Sequence, residues 1–132
     1  MGGSGNDAEV AQSGNNILDG GVGGFNFLVG GSGNDTFFLS PTDSTNTWDI
    51  ISNFHKGDLL TLWGWKTDTT TWNWVSDDGL PGYTGQTLHA SLNGDGNLNA
   101  SVTFAGATSS DNLLMFQGPA GGVPYCLIYN SG

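Results

Sequence analysis

The chain has 132 residues and carries twelve carboxylates against only Lys56 and Lys66, a formal net charge of −10. That charge argues against nucleic acid and anionic membrane surfaces as partners, because phosphates need neutralising cations. Five Trp, seven Phe and three Tyr argue against a disordered chain, and no apolar run is long enough for membrane insertion. Eleven of the twelve acids are Asp, which suits tight loops and oxygen-ligand metal sites, so cations bound at fixed places are the expected counter-charge. Cys126 is the one cysteine, so no internal disulfide forms.

The first forty residues repeat. Residues 2–10 read GGSGNDAEV, 11–19 AQSGNNILD, 20–29 GGVGGFNFLV and 30–38 GGSGNDTFF. Each unit opens on a small-residue, Gly-rich turn and closes on a short apolar or β-favouring run. Glycine supplies the positive φ of a tight turn. The following residues give one rung of strand, with Ile17, Phe27 and Phe37 predicted to point inward by alternation. Two units make one coil, and no coil buries its own apolar face, so the coils stack as a parallel β-roll. Met1 stands directly before a repeat, which predicts a piece cut from a longer protein.

Past Leu39, residues 40–54 read as a loop entering a strand that carries Trp48, Ile50, Ile51 and Phe54. His55-Lys56-Gly57-Asp58 reads as a turn, residues 58–63 as a strand, and residues 71–75 as another with Trp72 and Trp74 on one face. Residues 76–86 read as loop, marked by Asp77-Asp78-Gly79 and Pro81-Gly82. Leu88, Ala90 and Leu92 alternate with Thr87, His89 and Ser91, and after a Gly-rich turn Ala100, Val102 and Phe104 alternate again, predicting a hairpin. Ser109-Ser110-Asp111 is read as capping one helical turn before residues 112–116, and residues 125–129 as a last buried strand. The predicted fold class is all-β: a short parallel β-roll over residues 1–39 that continues, on one shared core, into a β-sandwich-like C-terminal cap over 40–132.

The pattern Gly-Gly-x-Gly-x-Asp before a short apolar run resembles the RTX calcium-binding nonapeptide. Residues 2–7 and 30–35 match it closely, with two relaxed units between them. The resemblance implies Ca2+ as the bound ion, held by carbonyls of Gly-rich turns and by motif carboxylates. The positions are Gly2, Gly3, Gly5 and Asp7 in the first unit, Asn16 in the second, Gly20, Gly21 and Asn26 in the third, and Gly30, Gly31, Gly33 and Asp35 in the fourth. Asn16 and Asn26 stand where the motif has Asp, and a neutral amide implies weaker sites. Counting along the repeats pairs Asp7 with Asn26 and Asn16 with Asp35. Residues 35–62 resemble the segment after the roll in serralysin-type proteases, where further Asp residues ligate calcium; by position these are Asp43, Asp49 and Asp58. The remainder resembles the cap that ends some alphaproteobacterial RTX proteins. No protease domain is present, so that activity does not carry over.

Bland readings stand beside these. Asp43, Asp49 and Asp58 also fit solvated loop acids or strand caps. Trp63, Trp65, Trp72 and Trp74 fit either a glycan-stacking platform or aromatics that close the end of the roll. His55 fits a turn residue, His89 the polar face of its strand, and Cys126 a buried inert thiol. No Ser/His/Asp or Cys/His set has motif support, so no enzyme is expected. The expected function is a secreted, extracellular or cell-surface calcium-binding module whose metal-coupled folding supports type I secretion of an upstream passenger domain. Its partners are then calcium ions and the type I secretion apparatus, with residues 123–129 inside an uncleaved C-terminal signal. The rival from another class is a carbohydrate-binding or adhesion module.

Overall fold

A computed structural model describes residues 6–22, 24–40, 47–65, 69–95, 98–107, 113–117 and 125–131. Eleven strands and no helix run through them: β1 (Ala8–Val10), β2 (Ile17–Val22), β3 (Phe25–Val29), β4 (Thr36–Ser40), β5 (Thr47–Ser52), β6 (Leu59–Trp63), β7 (Thr71–Leu80), β8 (Tyr83–Ser91), β9 (Ala100–Ala105), β10 (Leu113–Gln117) and β11 (Tyr125–Asn130). They form two mixed sheets, one ordered β1-β3-β5-β9-β8-β7 and the other β10-β11-β6-β4-β2. Successive strands from β1 to β6 therefore alternate between the sheets. Each pairs in parallel with the strand two places on: β1 with β3, β2 with β4, β3 with β5 and β4 with β6. The parallel run continues to β9 in the first sheet, and both sheets finish antiparallel, through β8–β7 and β11–β10.

The facing sides of the sheets share one apolar core. Leu28, Ile51, Val102, Phe104 and Leu88 come from the first sheet, and Leu18, Phe37, Leu60, Leu62 and Ile128 from the second, all 3 % exposed or less. Burial of such surface is the main stabilising term, at about 25 cal/mol per Å². The predicted inward set holds at Phe37 but not at Ile17 or Phe27. Ile17 is 73 % exposed, Phe27 packs on the outer face against Tyr83, and Leu18 and Leu28 point inward instead. The period of two runs from the Asn or Asp that opens each rung, so the second residue after Asn16, Asn26 and Asp35 is the buried one.

Three other expectations change. Residues 76–80 and 83–86 belong to β7 and β8, leaving only Pro81-Gly82 as a turn. The turn-like Asp77-Asp78-Gly79 makes a register irregularity inside the ladder, with positive φ at Asp77 and Gly79. The predicted helical turn near residue 113 is strand β10, because its residues find the edge of β11. Finally, parallel pairing extends past Leu39 to β5 and β6.

Candidate functional site

The parallel-paired strands of each sheet carry a ladder of Asn and Asp at or near their starts. On one edge, the Asp7 amide donates to Asn26 Oδ1 at 3.0 Å, and Asn26 Nδ2 donates to Asp49 Oδ1 at 2.7 Å. On the other, the Asn16 amide and Asn16 Nδ2 both donate to Asp35 Oδ1 at 3.0 Å, and the Asp35 amide donates to Asp58 Oδ1 at 2.8 Å. The sequence separations are 19 and then 23 residues on both edges. The structure thus brings Asp7 beside Asn26 and Asn16 beside Asp35, and adds Asp49 and Asp58 as the third members.

The second edge is described in most detail. Three turns stack there: residues 12–16, 31–35 and 53–58. Asn16 Nδ2 also reaches the Ser13 and Gly14 carbonyls at 3.1 and 3.0 Å, and the Asn34 amide donates to Asn15 Oδ1 at 2.9 Å. Glycine is required at two points of this stack. A Cβ on Gly31 would collide with the Gln12 carbonyl, and one on Gly33, which has φ +95°, would lie 2.5 Å from the Gly14 oxygen. Below them, Asn53 Nδ2 donates to the Gly30 and Gly31 carbonyls, and His55 Nε2 lies 2.6 Å from the Gly33 oxygen. His55 Nδ1 lies 3.0 Å from the Asn53 carbonyl and 3.1 Å from Asp58 Oδ2. The Asn53 carbonyl, above all, raises the His55 pKa, aided by Asp58, the Gly33 carbonyl and Asp35.

Three of the four ladder carboxylates are buried, Asp35 at 1 %, Asp49 at 4 % and Asp58 at 0 % exposed, and Asp7 is half-buried. Burial pushes Asp49 up to about 7, although the Asn26 hydrogen bonds pull the other way. Burial also raises Asp58 against the lowering effect of the Asp35 and His55 amides. Asp35 Oδ2 is buried and has no hydrogen-bond partner. A buried carboxylate oxygen without a partner costs free energy that a nearby cation removes. Among the described residues no three His, Cys, Asp or Glu side chains gather as a metal-binding group. An ion held here would have to take most of its oxygens from turn carbonyls and Asn amides, which is what a Gly-rich turn offers.

The remaining expected ligands fall elsewhere. Gly2, Gly3, Gly5 and Asp43 lie outside the described residues. Gly20 and Gly21 lie within strand β2 at its register shift, with Gly20 buried against Leu39. Gly30 packs against Asp35 Oδ2 and Phe37.

The four-tryptophan platform does not assemble. Trp65 is 1 % exposed, a core residue whose Nε1 donates to Gln117 Oε1. Trp72 lies on its rim, 39 % exposed, with its ring tilted 51° to Trp65, and Trp74 packs on Phe104. Trp63 sits in the other sheet between Phe38 and Tyr125. Sequence reasoning also missed a polar relay on the outer face of the first sheet. His89 Nε2 lies 2.7 Å from Asp78 Oδ2, and its Nδ1 2.7 Å from Ser101 Oγ. The hairpin pattern placed His89 on the polar face of its strand, but Asp78 was hidden in an apparent loop.

Comparison with known proteins yields no match: no family model fits the chain, and no curated protein or solved structure aligns with it significantly.

Proposed function

We propose that this chain is a calcium-binding module of the RTX type, a short parallel β-roll closed by a β cap, whose metal-coupled folding serves a larger exported protein. The reading is carried by the second-edge ladder, where stacked Gly-rich turns surround Asp35 and leave its Oδ2 buried without a partner. Asn16, Asp35 and Asp58 with turn carbonyls would hold an ion on that edge, and Asp7, Asn26 and Asp49 one on the opposite edge. Bound calcium supplies positive charge among oxygens that otherwise repel one another. Residues of the chain hold the turns in register meanwhile: Asn16 ties three carbonyl or carboxylate oxygens, and Gly31 and Gly33 let the turns touch.

The coupling to folding follows from linkage. Free calcium at about a hundred times the dissociation constant adds about 2.7 kcal/mol per independent site, a large fraction of the stability of a small domain. With calcium scarce, the clustered carboxylates weaken the fold, and the chain opens readily enough to thread a narrow export channel; outside, calcium stabilises the folded state. The type I route and the placement outside the cell rest on the RTX resemblance of the repeats. Far-UV circular dichroism and thermal melting in EDTA and in millimolar CaCl2 test the proposal. A calcium-dependent gain in β signal and melting temperature is expected, and identical spectra and midpoints overturn it.

A further inference from the structure

The outer face of the first sheet carries a site that the calcium reading does not use. Phe25, Trp48, Ser101 and His89 are successive cross-strand neighbours on β3, β5, β9 and β8. Such neighbours share one face. With Asn6 and Leu98 they line a cavity of about 380 Å³, within the size range of small-molecule pockets. Its floor is fixed before any ligand arrives. Trp48 Nε1 donates to Thr103 Oγ1 at 2.9 Å, and Thr103 Oγ1 is 2.8 Å from Thr87 Oγ1, so the indole plane is locked. The His89 ring stands at 90° to it, 5.2 Å away.

The chemistry of the relay sets what the floor presents. The hydrogen bond from His89 holds the Asp78 pKa below its usual value, so Asp78 is ionised near neutral pH. An ionised carboxylate only accepts, which puts the His89 proton on Nε2. In the tautomer with that proton on Nε2, Nδ1 accepts from Ser101, which leaves Ser101 Oγ its lone pairs for the cavity. The arrangement has the connectivity of a nucleophilic serine, but Ser101 lies mid-strand with partners on both sides, so its amide belongs to the ladder. Acyl transfer needs free donors aimed at an oxyanion, and this strand offers none. The relay serves recognition instead.

We propose that the Trp48–Ser101–His89 cavity binds an uncharged pyranose unit of a glycan, with the apolar ring face on Trp48 and a sugar hydroxyl donated to Ser101 Oγ. Charge selects the class. The net charge of −10 and Asp78 behind His89 disfavour anions, and among the described lining residues there is no acid to attract a cation. Aromatic walls with one oriented acceptor match a ring that alternates C–H faces with hydroxyl donors. The cavity borders the first-edge ladder through Asn6, Phe25 and Trp48, but Ser101 and His89 lie on β9 and β8, and the proposal does not depend on the calcium reading.

The test is amide and indole NMR on the full chain in CaCl2, titrated with methyl β-D-glucopyranoside, methyl β-D-galactopyranoside and methyl α-D-mannopyranoside. The Trp48 indole signal is assigned by its loss in Trp48→Phe. Saturable shifts of that signal and of the Ser101 and His89 amides are expected for at least one sugar. Ser101→Ala removes the acceptor and weakens binding about tenfold, the worth of one buried hydrogen bond. Leu98→Ala, at a 44 % exposed rim position, weakens it with the fold untouched, so the test survives if Ser101→Ala unfolds. Absence of saturable shifts with all three sugars, equal affinity in both variants, or a response only to benzyl alcohol overturns the proposal.

Discussion

Asn16→Asp probes the ladder where its geometry is best defined. Asn16 Nδ2 donates to Asp35 Oδ1, the Ser13 carbonyl and the Gly14 carbonyl at 3.0–3.1 Å. A carboxylate there donates to none of these three oxygens and sets a second negative charge about 3 Å from Asp35. At an effective dielectric constant of about 20, that repulsion is about 5 kcal/mol. Asn16 is half-buried, so solvent screens part of it, and about 2–3 kcal/mol of destabilisation is expected without metal. For a domain of this size that lowers the melting temperature in EDTA by about 10 °C. Calcium reverses the sign, because the ion now meets two carboxylates and binds more tightly. Melting curves of wild type and Asn16→Asp across a calcium titration measure both effects. The variant should melt lower in EDTA and gain more from calcium than wild type. Equal melting in EDTA, or a calcium gain no larger than that of wild type, refutes the pairing of Asn16 with Asp35 around an ion.

Three further outcomes follow from the same structure. Asp49 has a folded pKa of about 7 against an ordinary 3.8, so between these values the folded state binds more protons than the unfolded one. The Asp49 contribution to stability in EDTA is therefore lost as pH rises from about 4 to 7, about 4 kcal/mol in order of magnitude. Urea titrations at stepped pH should show that slope, and Asp49→Asn, which cannot titrate, should lose that share of it. Removal of residues 123–132 deletes β11, which lies between β10 and β6 and buries Cys126 and Ile128; cooperative melting should disappear, and so should export of a fused reporter, whereas efficient export places the signal elsewhere. Cys126 is fully buried with its thiol pushed up to about 12, so it should resist a thiol reagent such as DTNB in the native state and react after unfolding in urea.

The repeats were legible because their signal is local. Gly-rich turns at regular spacing fix the coil, and counting along them places Asp7 at Asn26 and Asn16 at Asp35. Side-chain direction was harder. Ile17 and Phe27 look like the inward choices, yet parity from Asn16 and Asn26 turns them outward, and only the polar residue ahead of each reveals it. Residues 76–80 were obscured because Asp-Asp-Gly chemistry serves a ladder irregularity as well as a turn. The Trp pattern misled for a tertiary reason: Trp63 and Trp65 are two apart in sequence, but one lies on the outer face of β6 and the other closes the core. The Asp78–His89–Ser101 relay needs three strands and a bent hairpin to assemble, and no short-range pattern encodes that.

The central claim is that calcium occupies the inter-turn ladders. Amide NMR of the ¹⁵N-labelled chain, titrated with CaCl2 from an EDTA-stripped start, tests it residue by residue. The account predicts saturable changes concentrated at residues 12–16, 31–35 and 53–58, with half-saturation at or below the ~10⁻³ M end of the range for extracellular modules, and their loss in Asp35→Ala. A spectrum already folded in EDTA that shows no saturable change at those residues up to ~10 mM calcium, tenfold above that range, contradicts it.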